Sequence, residues 1–203
     1  GYEALKNASF KIEEGEMVFL TGHSGAGKST VLKLIAAIES STTGNVLVNK
    51  QNLNALKPRA LPFLRRNFGI IFQDHKLLFD RNVFDNVMLP LQIGGFDYKE
   101  SIKRVRAALD KVGLSNREKF NPIALSGGEQ QRLCIARAVV HRPKILIADE
   151  PTANLDRGNA LRILELFKMF HKAGVTIIIS AHDENILSDY GKRIIRINQG
   201  QLG

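Results

Sequence analysis

The sequence predicts an α/β fold in which a mainly parallel sheet is flanked by helices. Short apolar segments of strand length alternate with segments whose apolar residues recur at helical spacing. Several apolar segments lack polar alternation, which is typical of strands covered on both faces. The stretch of about 74–142 contains helical patterns and no strand pattern. We therefore expect one domain over 1–203, with a sheet-containing core of about 1–73 and 143–203 and an inserted helical subdomain.

The amino-terminal half begins with a strand and a helix. Residues 16–21 form an apolar run of strand length, and after a glycine-rich turn residues 28–38 carry apolar side chains at helical spacing. Short apolar runs at 46–48 and 69–72 predict further strands. Residues 99–112 predict an amphipathic helix whose Lys and Arg lie opposite its apolar face.

The carboxyl-terminal half repeats the alternation. A helix is expected to begin near Gly127, and the apolar strand 145–148 ends in two acids. Helical spacing continues over 159–173, the β-branched run 175–180 predicts a buried strand, and 193–197 predicts a last strand. The apolar face of helix 159–173 is expected to contain Leu161, Leu164, Phe167 and Phe170. Because ligands bind beyond the carboxyl ends of parallel strands, functional residues are expected there.

Composition excludes several classes of protein. The chain has 29 Lys plus Arg against 20 Asp plus Glu, but the excess is spread out, without a run of five or six like charges. Zinc-finger spacing and RNA-binding aromatic motifs are missing, so we expect no direct nucleic-acid binding. No apolar run reaches the roughly 18 residues of a spanning helix. The single Cys134 is expected to be a buried apolar residue, and residues are expected to precede Gly1.

A glycine-rich loop predicts a phosphate site. Residues 22–29 match the pattern G-x-x-x-x-G-K-[ST] at every fixed position, after a predicted strand and before a predicted helix. Backbone N–H groups of such a loop point at an anion, Lys28 is expected to reach the β- and γ-phosphates, and Ser29 to ligate Mg²⁺. The alternative is a flexible glycine turn. The residues expected to bind ATP are Gly22, His23, Ser24, Gly25, Ala26, Gly27, Lys28, Ser29 and Thr30.

Two carboxylates follow the predicted strand 145–148. Asp149 is placed to hold Mg²⁺, directly or through water, and Glu150 to accept a proton from an attacking water. The alternative for this pair alone is a solvated acidic turn. Together with the phosphate loop, the pair predicts hydrolysis of a nucleotide.

A further glycine pair indicates the family. In the segment 125–132, Ser126 and Glu129 have the spacing of a capping box at a helix start. Capping alone does not require the glycines Gly127 and Gly128 or the Gln-Gln-Arg that follows them. With these residues the sequence resembles the ATP-binding cassette family, and the resemblance covers essentially the whole chain. The resemblance implies a RecA-like core, an antiparallel β edge and a head-to-tail homodimer that forms on ATP binding. It also implies that Ser126, Gly127, Gly128 and Glu129 contact the γ-phosphate of ATP held by the other subunit.

Other residues match the family one at a time. Gln73 resembles the glutamine that senses Mg²⁺ and the lytic water, and Asp156 resembles the residue that links the two sites of the dimer. His182 resembles the histidine that hydrogen-bonds the γ-phosphate, which makes Glu150, His182, Gln73 and Lys28 the expected catalytic set. Alone, these residues are typical of a polar strand end, a turn and a structural histidine. The adenine-stacking aromatic is expected upstream of Gly1 rather than at Tyr2.

Three stretches narrow the resemblance to the cassettes of bacterial cell division: residues 21–27, 63–75 and 80–87. This branch implies an integral membrane partner and a peripheral position on the cytoplasmic face of the inner membrane. Leu78 and Phe79 are expected to contact that partner, although most apolar residues of 74–98 are expected in the core. The alternatives are a transport ATPase of the lipoprotein-release or macrolide-efflux type and a nucleotide-gated scaffold. DNA-repair cassettes need long insertions for which this chain has no room.

Overall fold

The structure is a computed structural model that describes residues 3–182, 190 and 193–203. Its strands are β1 (Met17–Thr21), β2 (Leu47–Val48), β3 (Gln51–Asn52), β4 (Phe68–Ile71), β5 (Ile145–Asp149), β6 (Thr176–Ala181), β7 (Arg193–Asn198) and β8 (Gln201–Leu202). Its α-helices are α1 (Lys28–Ile35), α2 (Leu61–Arg65), α3 (Val83–Gly94), α4 (Tyr98–Lys111), α5 (Gly127–Val139) and α6 (Arg157–Lys172). Single 3-10 turns lie at Leu53–Ala55, Pro58–Ala60, Ser115–Arg117 and Pro122–Ala124.

Six strands form the main sheet, in the order β4-β5-β6-β1-β7-β8. All neighbours are parallel except β8, which runs antiparallel to β7 at the edge. Strands β2 and β3 form a separate antiparallel pair. The predicted α/β fold with a mainly parallel sheet and an antiparallel edge is therefore confirmed.

Apolar layers cover both faces of the central strands. Along β1, Phe19 packs into the layer that contains α3, α4, α5 and α6, whereas Val18 and Leu20 pack into the layer that contains α1. Leu146 and Ile147 of β5 divide in the same way. Because neither face of these strands meets solvent, their sequences are apolar without alternation.

Helices α3, α4 and α5 follow one another between β4 and β5. Helix α3 begins after Asn82, whose side chain accepts a hydrogen bond from Asp85 N at 2.7 Å, and it ends at Gly95 in the left-handed region. It contains Pro90, and its buried stripe includes Val83 and Leu91. Packing of this stripe against α5 holds the helix together despite the proline.

Two predicted helices differ in detail from the observed ones. Helix α1 ends at Ile35 rather than near residue 38, and the chain turns at Ala37, which has a φ of 53°. Helix α6 begins at Arg157 because Asp156 caps it. Of the apolar face predicted for this helix, Leu164 and Phe167 are buried, whereas Leu161 is 37% exposed at its border. None of the helices in the described ranges is both long and apolar enough to span a bilayer.

The single cysteine is buried, as the sequence predicts. Cys134 is 1% exposed within α5, and its thiol lies 3.4 Å from the carbonyl oxygen of His75. Burial raises the pKa of the Cys134 thiol to about 12. At neutral pH the group is therefore a protonated, unreactive thiol.

Candidate nucleotide site

The glycine-rich loop lies between β1 and α1 at the carboxyl edge of the sheet. Gly22 and Gly27 have φ values of 148° and 110°. A Cβ atom on Gly22 would lie 2.1 Å from the carbonyl oxygen of Ile197, and one on Gly27 would lie 2.8 Å from that of Ala4. Both positions therefore require glycine, because neighbouring backbone occupies the space of a side chain. Tyr2, the aromatic residue considered for adenine stacking, is outside the described residues.

The first turn of α1 leaves its N–H groups without a side-chain cap. Gly27 is the N-cap residue, it has no side chain, and the first turn contains no acidic residue. The first four N–H groups of a helix have no partner within the helix, and the helix dipole makes this end positive. The tip of α1 is thus suited to bind an anion such as phosphate.

Lys28 lies at the centre of the site and is 4% exposed. Its ammonium donates to the carbonyl oxygens of Gly22 at 2.8 Å and His23 at 3.1 Å. The ring of His23 points elsewhere, with Nδ1 2.7 Å from Ser24 O and Nε2 3.2 Å from Asn198 Oδ1. Among side chains of the loop, Lys28 is therefore the one that brings positive charge into the site.

The carboxylates of Asp149 and Glu150 lie at the end of β5, next to β6. Strand pairing places Asp149 opposite Ser180, whose hydroxyl donates to Asp149 Oδ1 at 2.6 Å and accepts a hydrogen bond from Glu150 N at 2.8 Å. Glu150 has a φ of 48°, which is uncommon for a residue with a side chain. Ser180 is fully buried and fixes both acids. Sequence reasoning missed it, although it is a hydroxyl within an apolar strand, two residues before His182.

Three of the expected catalytic side chains meet around the fourth, Glu150. Its Oε1 lies 2.6 Å from His182 Nε2 and 3.7 Å from the ammonium of Lys28. Its Oε2 accepts a hydrogen bond from Gln73 Nε2 at 3.4 Å. Residues far apart in the chain are thus assembled by the carboxyl ends of β1, β4, β5 and β6. They border a cavity of about 310 Å³ that is also lined by Ser29 and by the backbone of the loop.

The donor atoms at this edge fit Mg²⁺. Ser29 supplies a hydroxyl, Gln73 an amide oxygen and Asp149 a carboxylate, and oxygen donors are the ligands that Mg²⁺ prefers. No group of three or more His, Cys, Asp or Glu suited to a metal occurs in the described ranges. A site with one carboxylate suits an ion that also binds water and substrate phosphates, rather than an ion enclosed by protein alone.

The tip of α5 is a second helix start, with a different cap. The hydroxyl of Ser126 accepts from Glu129 N at 3.3 Å, and Ser126 N donates to Glu129 Oε2 at 2.9 Å, which confirms the predicted capping box. Hydrogen bonding from the Ser126 N–H, together with the nearby Arg117, lowers the pKa of Glu129. Ser126 and Gly127 are exposed, and they do not border the 310 Å³ cavity of the same chain.

Gly128 connects the α5 tip to the start of α6. A Cβ atom on Gly128 would lie 2.9 Å from the side-chain amide of Asn159. Asn159 in turn donates to Asp156, from its backbone N at 2.9 Å and from its side chain at 2.6 Å. These hydrogen bonds lower the pKa of Asp156. The structure thus brings Asp156 next to the α5 tip.

The residues expected to dock a partner differ in exposure. Leu78 is half-buried, and its backbone N and O both hydrogen-bond the side chain of Asn86 at 2.9 Å. Phe79 is 53% exposed, and its carbonyl oxygen accepts from Asn121 Nδ2 at 2.7 Å. This bond ties Phe79 to the loop before α5, where Phe120 and Ile123 are also exposed.

The fold, the loop and the capped helix tip define the class of the protein. The chain belongs to the ABC transporter family, which matches residues 5–153. Among curated relatives, the chain is 52% identical to the cell division ATP-binding protein FtsE of Escherichia coli (strain K12), an alignment that covers 100% of this chain and 91% of the relative. It is 40% identical to the protein of the same name from Bacillus subtilis (strain 168), over 98% of this chain and 88% of the relative.

Solved structures give the same class. The dimeric structure of MJ0796, described as a bacterial ABC transporter cassette, is 36% identical, with a TM-score of 0.91 over 98% of this chain and 88% of that one. A second MJ0796 structure is a dimeric post-hydrolysis state bound to ADP and Pi, and it has a TM-score of 0.90 at the same identity and coverage.

Proposed function

We propose that the protein is an ABC-type ATPase subunit of bacterial cell division. It binds and hydrolyses ATP as a head-to-tail homodimer and passes the conformational change to an integral membrane protein of the FtsX type, which regulates cell-wall hydrolases. The observation that carries the enzymatic part is the convergence of Lys28, Gln73 and His182 on Glu150 beside the phosphate loop. The cell-division part rests on FtsE relatives that match the chain over nearly its full length.

In the proposed reaction, water attacks the γ-phosphorus of ATP. Glu150 accepts the proton of this water, the bond from the γ-phosphorus to the bridging oxygen breaks, and ADP and phosphate leave. His182 holds the Glu150 carboxylate in position, and Lys28 offsets negative charge on the phosphates. Ser29, Gln73 and Asp149 would hold Mg²⁺, which neutralises phosphate charge when bound. Ser180 keeps Asp149 and Glu150 in place.

The second half of each site is proposed to come from the other copy. Ser126, Gly127, Gly128 and Glu129 form a tip that does not border the cavity of its own chain. The tip is capped, and its residues Ser126 and Gly127 are exposed, so these two can meet a phosphate of a second molecule. The contact of Gly128 with Asn159 then gives Asp156 a route to couple the two sites.

Replacement of the proposed base tests the enzymatic part. Glu150→Gln keeps the size of the side chain but removes its capacity to accept a proton, so we expect hydrolysis to fall by roughly 10²- to 10⁴-fold. Binding of ATP is expected to persist, and an ATP-bound dimer is expected to accumulate in size-exclusion chromatography. Glu165→Gln changes an exposed acid on α6 and serves as the matched control. Normal turnover by Glu150→Gln would show that the base lies elsewhere.

The membrane partner is proposed to contact the apolar surface formed by Phe79, Phe120 and Ile123. All three side chains are exposed, and Asn121 holds Phe79 next to the other two. Phe79→Ala is expected to weaken pull-down of the FtsX-type partner by roughly tenfold, the loss expected for an aromatic residue at an interface. Phe63→Ala, at an exposed phenylalanine on α2, is the control. Full binding by Phe79→Ala would remove this surface from the proposal.

The partner also separates the proposed role from a transport ATPase of the lipoprotein-release or macrolide-efflux type. Both would share the same chemistry, so the membrane subunit that co-purifies with the chain decides between them. A nucleotide-gated scaffold would bind the same partner without a change in hydrolysis rate. ATPase activity measured with and without the partner therefore distinguishes an ATPase that drives its partner from a nucleotide-gated scaffold. Under this proposal, the chain lies on the cytoplasmic face of the bacterial inner membrane.

A further inference from the structure

A second cavity lies at the amino-terminal ends of the sheet strands, whereas the nucleotide site lies at their carboxyl ends. It is bordered by Lys144, just before β5, and by Val175, just before β6, whereas the catalytic acids and His182 follow the carboxyl ends of the same strands. Its volume is about 520 Å³, within the range of roughly 300–1,000 Å³ that is typical of small-molecule sites. None of its bordering residues belongs to the nucleotide cavity.

The cavity combines an apolar interior with basic residues. Helix α4, the end of α5 and the turn after α6 supply its walls. The apolar lining residues include Ala107, Ala108, Val139, Val140, Phe170 and Val175. Four basic residues and one acid, Glu14, also border it. Such a lining suits a ligand with an apolar body and a negatively charged head.

Three of the four basic residues have no acidic partner among the residues that the structure describes. Arg104 pairs with Glu100 at 3.0 Å, but Lys111, Arg142 and Lys144 make no ion pair with any residue in the described ranges. Lys111, Arg142 and Lys144 are exposed and face one bordering acid, Glu14, so the border of the cavity carries an excess of positive charge, which attracts an anion.

The backbone fixes the position of Arg142. This residue has a φ of 58°, its N–H donates to Val139 O at 2.8 Å, and Pro143 follows it. The left-handed region is uncommon for a residue with a side chain, and the position before proline disfavours helical conformations too. This turn and the proline follow the end of helix α5 and set the place of Arg142 at the border of the cavity.

We propose that this cavity is a binding site for a small amphiphilic anion. The apolar body of the ligand lies against Ala107, Val139 and Phe170, and its carboxylate or phosphate head is held by Lys111, Arg142 and Lys144. Such a ligand joins α4 to the amino edge of the sheet. It therefore restrains the helices between β4 and β5 from a place remote from ATP.

Octyl phosphate is a suitable probe, since it carries both chemical parts. Calorimetry below the micelle concentration is expected to show saturable binding with one site per chain. Octyl glucoside has the same tail with a neutral head, and inorganic phosphate is the head alone. Each is expected to bind at least tenfold more weakly than octyl phosphate. Equal affinity of octyl phosphate and either partial probe would overturn the proposal.

Two variants connect binding to this cavity. The double variant Arg142→Ala, Lys144→Ala is expected to weaken octyl phosphate binding about tenfold or more. The control Lys103→Ala, Lys119→Ala removes two exposed charges that do not border the cavity and is expected to leave binding unchanged. If both double variants bind as the unmodified chain does, the charges are not involved and the proposal fails.

A steric variant and a nucleotide-site variant complete the test. Ala107→Phe fills part of the cavity without changing its charge, and we expect it to weaken octyl phosphate binding by a similar factor. Lys28→Ala is expected to lose ATP and to retain octyl phosphate. Loss of both ligands in Lys28→Ala would place the probe in the nucleotide site and would overturn this proposal, whereas the proposed ATPase function would stand.

Discussion

Helices α1 and α5 both have glycine at their start, as the N-cap Gly27 of α1 and as Gly127 and Gly128 in α5, but their first turns are completed in different ways. At α1 the N-cap is Gly27, which has no side chain, and no acidic residue occupies the first turn. At α5, Ser126 and Glu129 satisfy each other's backbone N–H groups. Since uncapped N–H groups seek an acceptor, the α1 tip depends on a ligand more than the α5 tip does.

This difference agrees with the proposal that each nucleotide site is shared between two copies of the chain. The proposed phosphate site, formed by the α1 tip, Lys28 and Glu150, lies within one chain. The α5 tip is already stable by itself, and it adds Ser126 and Gly127 as exposed groups. Binding of ATP should therefore belong to one chain and hydrolysis to the pair.

Loss of Lys28 should have the largest effect. Lys28→Ala removes the buried ammonium that lies among the loop carbonyls and Glu150. Charge-assisted hydrogen bonds contribute about 1.5–3 kcal/mol each, so ATP affinity should fall roughly a hundredfold or more in calorimetry. Lys33→Ala, an exposed lysine in the last turn of α1, is the control. If Lys28→Ala kept its affinity for ATP, ATP binding could not be assigned to the α1 tip and Lys28.

Ser126→Ala should reduce hydrolysis and leave ATP binding nearly intact. Loss of an N-cap costs about 1 kcal/mol of stability, and Asp97→Ala, which removes the N-cap of α4, should cost the same. Only Ser126→Ala should also slow ATP turnover, by roughly tenfold, since one hydrogen bond to phosphate is lost. Equal turnover by the two variants, measured at saturating ATP, would contradict a role for the α5 tip in the second site.

Ser180→Ala should affect the acids Asp149 and Glu150 without changing the glycine-rich loop. The substitution leaves Asp149 Oδ1 and Glu150 N without their partner, at a cost of about 1–3 kcal/mol in the free energy of unfolding. We expect several-fold slower hydrolysis with little change in ATP affinity. Ser101→Ala removes another buried serine hydroxyl, in α4, and controls for stability. Turnover that falls equally in both variants would reduce Ser180 to a packing role.

Acid should weaken the α5 tip more than the α1 tip. The pKa of Glu129 is lowered from 4.5 by the Ser126 N–H and Arg117, so the folded chain binds this proton less readily than the unfolded chain. The stabilisation by Glu129 is therefore present above about pH 4.5 and is lost as the pH falls through the lowered pKa. Glu129→Gln should flatten the fall of unfolding free energy below that pH. Parallel curves would contradict the expectation.

Local patterns predicted most of this fold, and tertiary pairing determined the rest. The strand before Gly22 and the helix after it follow from spacing, and the capping box follows from four consecutive residues. Ser180 was missed because its role arises from the register of β6 with β5, which places it opposite Asp149. The exposure of Leu161 was not predictable either, because helical spacing shows which residues share an apolar face but not where burial on that face ends.

The site residues were predicted partly from local sequence motifs and partly from the expected order of strands. Lys28 and Glu150 are recognisable from short motifs, whereas Gln73 and His182 carry little local signal and gain meaning only from the order of strands. Phe79 shows the limit of sequence reasoning, since neighbouring Leu78 has the same apolar character but is half-buried and held by Asn86. Hydrophobicity does not indicate which of two adjacent apolar side chains faces outward.

The deep position of Cys134 has a practical consequence for chemistry on this molecule. It is the sole thiol of the sequence, and its raised pKa together with its burial keeps it away from alkylating reagents and oxidants while the chain is folded. A cysteine introduced at an exposed place would be the single reactive handle on each molecule. Disulfide trapping, fluorophore attachment and distance spectroscopy can thus be carried out without first replacing Cys134.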